Sequence, residues 1–170
     1  ISLEKYLMSV ATSEMSEQCP SAFLEAQTIA ARSWLLTATE QKHATLGLDA
    51  CNDDCCQRYQ GIGNMSEKSM ACTESTRGMV LVHGKAILDA RYSKSCGGIT
   101  EEGINVWPQD KLDYLISVQD GEPAFCGSAL VSNVNLMQYL GSVDDHRSYF
   151  RWNHEISQEE MIKHINSIYF

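Results

Sequence analysis

Proline, glycine and positive charge are all scarce in this chain. Its 170 residues hold three prolines and 11 glycines, which excludes a collagen-like or low-complexity protein. Lysine and arginine total 13 against 22 aspartates and glutamates, a net charge of -9. No Lys/Arg run offsets that balance, which argues against nucleic acid or an anionic membrane surface as the main partner. No apolar stretch approaches the roughly 20 residues of a membrane-spanning helix. What is present is a 44% hydrophobic fraction, enough for one sizeable core in a single domain spanning 1–170. Ile1 stands where an initiator methionine would be, so we expect a piece of a longer protein, and a missing leader says nothing of location.

Cysteine is abundant instead. The seven are Cys19, Cys51, Cys55, Cys56, Cys72, Cys96 and Cys126, and an odd number cannot all pair within the chain. Three crowd into CNDDCC at Cys51–Cys56. A metal site with an imidazole from His43 and a Cys51–Cys56 disulfide both account for the cluster. The vicinal pair Cys55–Cys56 is excluded from bonding to itself by ring strain.

Periodicity predicts a helix over 3–17, with Leu3, Leu7, Val10 and Ala11 on one stripe. Glu14 falls on that apolar stripe, four residues after Val10. A carboxylate there loses hydration, which disfavours its charged form and suits a general acid; the plain alternative is a core ion pair with Arg32. Pro20 breaks the pattern, and a second helix follows to about Glu40, apolar on most sides and therefore expected to be central. Gln27 and Arg32 are its conspicuous polar residues. Residues 41–65 read as a loop, 79–83 and 85–92 as strands around Gly84, and 114–118 as a further short strand. A helix is expected over 128–140, and Ser157 with Glu160 makes a capping box for a last helix to about Ile168. The whole reads as α+β: N-terminal helices carrying Glu14 on a small mixed or antiparallel sheet, then a C-terminal helix. Cys96 before Gly97-Gly98 reads as a turn cysteine rather than a nucleophile. Trp107, Tyr92, Tyr114 and Trp152 can stack on a sugar but equally serve as core.

Several separated motifs, in one order, carry a family resemblance. YLMSVATSEMSEQCPSAFLEAQTIAARSWLL (Tyr6–Leu36), DACNDDCCQRYQG (Asp49–Gly61), Thr76-Arg77-Gly78, DARYSKSCGGITEE (Asp89–Glu102), Trp107, YLISVQD (Tyr114–Asp120) and RWN near the end together resemble the stage II sporulation protein D (SpoIID) and amidase-enhancer family. The resemblance implies a lytic transglycosylase that cuts MurNAc–GlcNAc bonds in peptidoglycan glycan strands stripped of stem peptides, outside the cytoplasm. It implies that Glu14, in the Glu-Met pair, is the single catalytic acid and base. Gln27 and Arg32 become positioners of Glu14 or sugar, and Tyr92, Ser93, Ser95 and Gly97 substrate contacts. It also implies a structural Zn2+ held by His43, Cys51 and Cys56, with Cys55 competing for a place and Cys96 a possible fourth ligand. The amidase-enhancer side of the family implies another role, a module that binds glycan and stimulates a cell-wall amidase without cutting.

Overall fold

The computed structural model describes residues 1–37, 42–53, 55–93, 96, 99–108, 113–119 and 154–169. The order is α1 (Leu3–Glu14), α2 (Ser21–Thr37), α3 (Glu67–Ser75), β1 (Val82–His83), β2 (Ala86–Ile87), α4 (Gly103–Val106) and α5 (Gln158–Tyr169). Helices with a small antiparallel sheet make the fold α+β. The helix expected at 128–140 and Trp152 lie outside the described residues.

The central helix is α1, not α2. Tyr6 to Ala11 are buried in an unbroken run, whereas α2 leaves Phe23 and Leu36 about half exposed. The buried face of α2 is set by spacing rather than hydrophobicity: Leu24, Gln27, Thr28, Ala31 and Arg32 recur at three- and four-residue intervals. One core cluster joins Tyr6, Leu7 and Val10 of α1 to Ala31 of α2, with Tyr59 and Tyr92 packed against it. A second joins Met15, Cys19, Leu24 and Cys72. The latter includes α3, a helix whose inward residues Ser69, Cys72 and Thr73 gave no apolar stripe to read. Ser66 caps it, exchanging hydrogen bonds with Ser69.

The strands are shorter than expected. β1 and β2 pair Val82 with Ile87 and His83 with Ala86, across a turn where Gly84 takes φ +61°. Beyond them side chains capture the backbone amides: Leu81 N–H donates to Ser33 Oγ (2.8 Å) and Asp89 N–H to the Tyr114 hydroxyl (3.0 Å). The same competition leaves no strand over 114–118, where Val118 N–H donates to Thr100 Oγ1 at 2.7 Å; one bridge forms just past it, Ile99 with Gln119. Gly103 closes this irregular ribbon. Its N–H donates to Leu115 O at 2.7 Å, and a Cβ there would meet Leu115 Cβ at 2.7 Å, so a side chain has no room.

Candidate active site

Residues 57–64, which run past α1 after the cysteine cluster, build the site. Polar residues of α1 hold them: Ser9 donates to Gly61 O at 2.7 Å, and Ser13 Oγ accepts from Gln60 N–H (3.3 Å) and Asn64 Nδ2 (2.9 Å). From the α2 side, the buried Gln57 donates to Ala31 O at 3.1 Å. The loop keeps Gly61 at φ +89°, a conformation that favours glycine.

Glu14 is the last residue of α1 and is half-buried, because the apolar stripe ends there and opens into a cleft. Its Oε1 accepts from Arg58 N–H at 2.8 Å and from the Tyr92 hydroxyl at 3.2 Å. No described residue donates to Oε2, so one carboxylate oxygen is anchored and the other is left to the cleft. Burial, then the nearby Glu14 charge, pushes the Tyr92 hydroxyl well above the usual phenol range, so Tyr92 stays a proton-bearing donor. The cleft measures about 440 Å³ and is lined by Glu14, Trp34, Gln57, Arg91, Tyr92 and Trp107 among others. The Arg91 guanidinium pairs with Asp89 at 2.8 Å and lies 4.2 Å from the Trp107 ring centre, holding that indole in the wall. Gln57 Oε1 is buried and unpaired beneath the cleft.

Arg32 is not at this cleft. It is almost wholly buried on Glu4, with Nε–Oε1 at 3.2 Å and Nη2–Oε2 at 2.8 Å, and Nη1 donates to Met79 O at 3.0 Å. The carboxylate it pairs with is therefore Glu4, in the first turn of α1, and not Glu14. Gln27 is buried in α2 and does not line the cleft. Ser93 lines a neighbouring hollow of about 630 Å³, which also holds Cys96. Ser95 and Gly97 lie outside the described residues. Arg58, Gln57 and Trp34 were not legible as site residues. Arg58 and Gln57 sit in an aperiodic loop, and Trp34 reads as one more apolar residue of α2.

Beside the cleft, His43, Cys51, Cys55 and Cys56 bring one ligand atom each to within 4.8 Å of one another. Cys51 Sγ lies 3.3 Å from Cys55 Sγ, which lies 3.6 Å from His43 Nε2. A tetrahedral zinc with bonds of about 2.3 Å spaces its ligands by about 3.8 Å, so this Cys3His set fits the ion. The described cysteines, Cys51 and Cys56 included, are all free thiols. Cys55 joins the three residues expected, and Cys96 stands apart from them. The Asp53 N–H, donated to sulfur at 3.4 Å, holds the Cys51 thiol below its usual range, with help from Cys55. The same sulfur–sulfur hydrogen bond pushes Cys55 up to about 11.

Residues 1–83 match the sequence model of the SpoIID family, described as "Stage II sporulation protein". Over 114 residues, 67% of this chain, it is 34% identical to a Bacillus subtilis (strain 168) protein named "Amidase enhancer", of which it covers 15%. It is also 28% identical over 107 residues, 63% of this chain, to an uncharacterized protein of Brachyspira hyodysenteriae, of which it covers 29%. The chain thus spans less than a third of either relative. Among the described residues, no helix is long and apolar enough to cross a membrane.

Proposed function

This chain belongs to the SpoIID family through its first 83 residues, and on that premise we propose that it is a lytic transglycosylase of peptidoglycan glycan strands, working outside the cytoplasm. The observation that carries the reading is the state of Glu14: the one carboxylate among the described residues that line a cleft walled by aromatic rings, held through Oε1 while no described residue donates to Oε2. A hydrolytic glycosidase generally needs two carboxylates. A transglycosylase needs one, because its nucleophile is already part of the substrate.

Protonated at Oε2, Glu14 gives its proton to the glycosidic oxygen as the C1–O bond of MurNAc breaks. The carboxylate so formed keeps both hydrogen bonds at Oε1, which are strongest to the charged form. It then takes the proton of the same sugar's C6 hydroxyl while O6 bonds to C1. The products are a free GlcNAc hydroxyl and a 1,6-anhydroMurNAc end; no water is consumed and Glu14 regains its proton. Tethering of O6 removes the entropy of bringing in a second reactant. Trp34, Tyr92 and Trp107 supply faces for the sugar rings. Zinc on His43, Cys51, Cys55 and Cys56 would fill all four coordination positions with protein ligands, and so would supply loop anchoring rather than Lewis-acid chemistry.

Mass spectrometry of products from denuded peptidoglycan tests this, with Glu14→Gln in parallel. Wild type should yield 1,6-anhydro ends, and Glu14→Gln should lose at least about 100-fold in rate, the low end for general acid–base catalysis. Reducing ends instead would mean hydrolysis, and equal rates would remove Glu14 from the chemistry. A second reading rests on the name of the Bacillus relative: a module that grips glycan and stimulates a cell-wall amidase. Amidase stimulation that survives Glu14→Gln, with no glycan cleavage by wild type, would favour it.

A further inference from the structure

The loop 51–58, which carries three of the four candidate metal ligands, rests on α1. Ala50 and Tyr59 flank it, and both pack against the core cluster to which Tyr6 belongs. The Tyr6 and Tyr59 rings stack, with centres 5.2 Å apart and planes 19° from parallel. Inside this contact the Tyr6 hydroxyl is buried and has no hydrogen-bond partner among the described residues. A buried polar group left unpaired costs about 1–3 kcal/mol, so the hydroxyl calls for an acceptor. Burial, then charge at Cys56, then at Glu14 and Cys51, pushes it well above the usual phenol range. It therefore keeps its proton and acts as a neutral donor.

Three anionic groups lie near enough to be that acceptor. Glu14 Oε1 already takes two hydrogen bonds, and Tyr6 is not among the residues lining the cleft onto which Glu14 opens. Cys51 Sγ receives the Asp53 N–H at 3.4 Å and lies 3.3 Å from Cys55 Sγ. Cys56 is half-buried, and no described backbone N–H donates to its sulfur. Charge makes a donor there valuable. Three thiolates and a neutral imidazole around Zn2+ leave one negative charge on the cluster, in a chain of net charge -9. A partly buried charge is costly unless hydrogen bonds offset it. We propose that the Tyr6 hydroxyl donates to the Cys56 thiolate of the metal-loaded cluster, and so helps to set its metal affinity. Tyr6 is then a positioning residue that ties the ligand loop to the helix carrying Glu14 about two turns further on. The proposal rests on the Cys3His reading of the cluster and is independent of the glycan reading.

Tyr6→Phe tests it, because the substitution deletes the hydroxyl and keeps the stacked ring. Zinc affinity, read by competition with a chromophoric chelator, should fall about 10-fold or more, the low end for losing a partner of a metal ligand. The metal-free protein should melt no lower than wild type, since its unpaired hydroxyl contributes nothing to lose. Cobalt(II) in place of zinc supplies a signature that packing alone does not move. The thiolate-to-cobalt charge-transfer band should shift to longer wavelength, because sulfur without its hydrogen bond gives up an electron more easily. In a Cys56→Ser background, Tyr6→Phe should cost no further affinity. Unchanged affinity, an unmoved cobalt band, an equal loss in the Cys56→Ser background, or a lower melting temperature without metal each overturns the proposal; the last would mean that the hydroxyl is already bonded in the metal-free fold. If wild type binds zinc and cobalt in that case, only the role of Tyr6 falls. If it binds neither, the metal reading falls with it.

Discussion

At the scale of single residues, two carboxylates of α1 have opposite fates. Glu4 is committed to Arg32, which spends its donors on Glu4, Met79 O and Thr73 O and thereby ties α1, α2 and the end of α3 together. Glu14 is held by one amide and one hydroxyl and keeps an oxygen in reserve. A buried pair is costly to break because the remaining charge is stranded. Arg32→Met should therefore destabilise the chain by about 3–5 kcal/mol, read as a fall in the urea midpoint. It should leave the product pattern of whatever folds unchanged. An Arg32→Met protein of normal stability with lost activity would return Arg32 to the site.

At the scale of elements, α5 shows a signal that sequence carries without tertiary help. Ser157 N–H donates to Glu160 Oε2 at 2.9 Å, and Glu160 N–H donates back to Ser157 Oγ at 3.2 Å. The Ser157 N–H and then its hydroxyl hold the Glu160 carboxyl below its usual value of 4.5. A depressed folded value means that the stabilisation is complete above the unfolded value, near 4.5, and disappears as pH falls through the lower, folded one. The Ser157 and Glu160 amide resonances should report fraying at the start of α5 only in acid, with Glu160→Gln flattening the profile. Fraying that began above pH 5 would contradict the box. By contrast, α3 escaped sequence reading because its buried side is Ser69, Cys72 and Thr73, small polar residues that make no apolar stripe; Ser69 Oγ bonds locally, donating to Ser66 O at 3.0 Å.

At the scale of the whole molecule, the cysteine cluster and the cleft are one construction. His43 and the three thiols gather the loop that continues directly into Gln57 and Arg58, so whatever fixes the sulfurs fixes the amide on Glu14. The purified chain should carry about one zinc per molecule by elemental analysis. At free zinc about 1,000-fold above its Kd, stripping the metal should cost about 4 kcal/mol of stability, seen as a lower Tm with chelator. Cys55→Ser should weaken retention of the metal, since it removes one of four thiolate or imidazole ligands. A chain with no bound metal and a Tm indifferent to chelator would leave the loop to its hydrogen bonds alone.

Sequence by itself determined the N-terminal helix and its Glu14, the break at Pro20, the turn at Gly84 and the Ser157 cap, together with the family to which the chain belongs. Each is a local matter of spacing, backbone freedom or side-chain reach, or a motif read in order. Tertiary structure alone decided that α1 rather than α2 is central, that Arg32 belongs to Glu4, that Cys55 gathers with His43, Cys51 and Cys56 at metal-binding distance, and that Tyr92 and the Arg58 amide hold Glu14. The pairings at Glu4 and Glu14 join residues from 28 to 78 positions apart. No periodicity reports such distances, because the choice of partner is made by which polar groups burial leaves unsatisfied and by what the fold brings within reach of them.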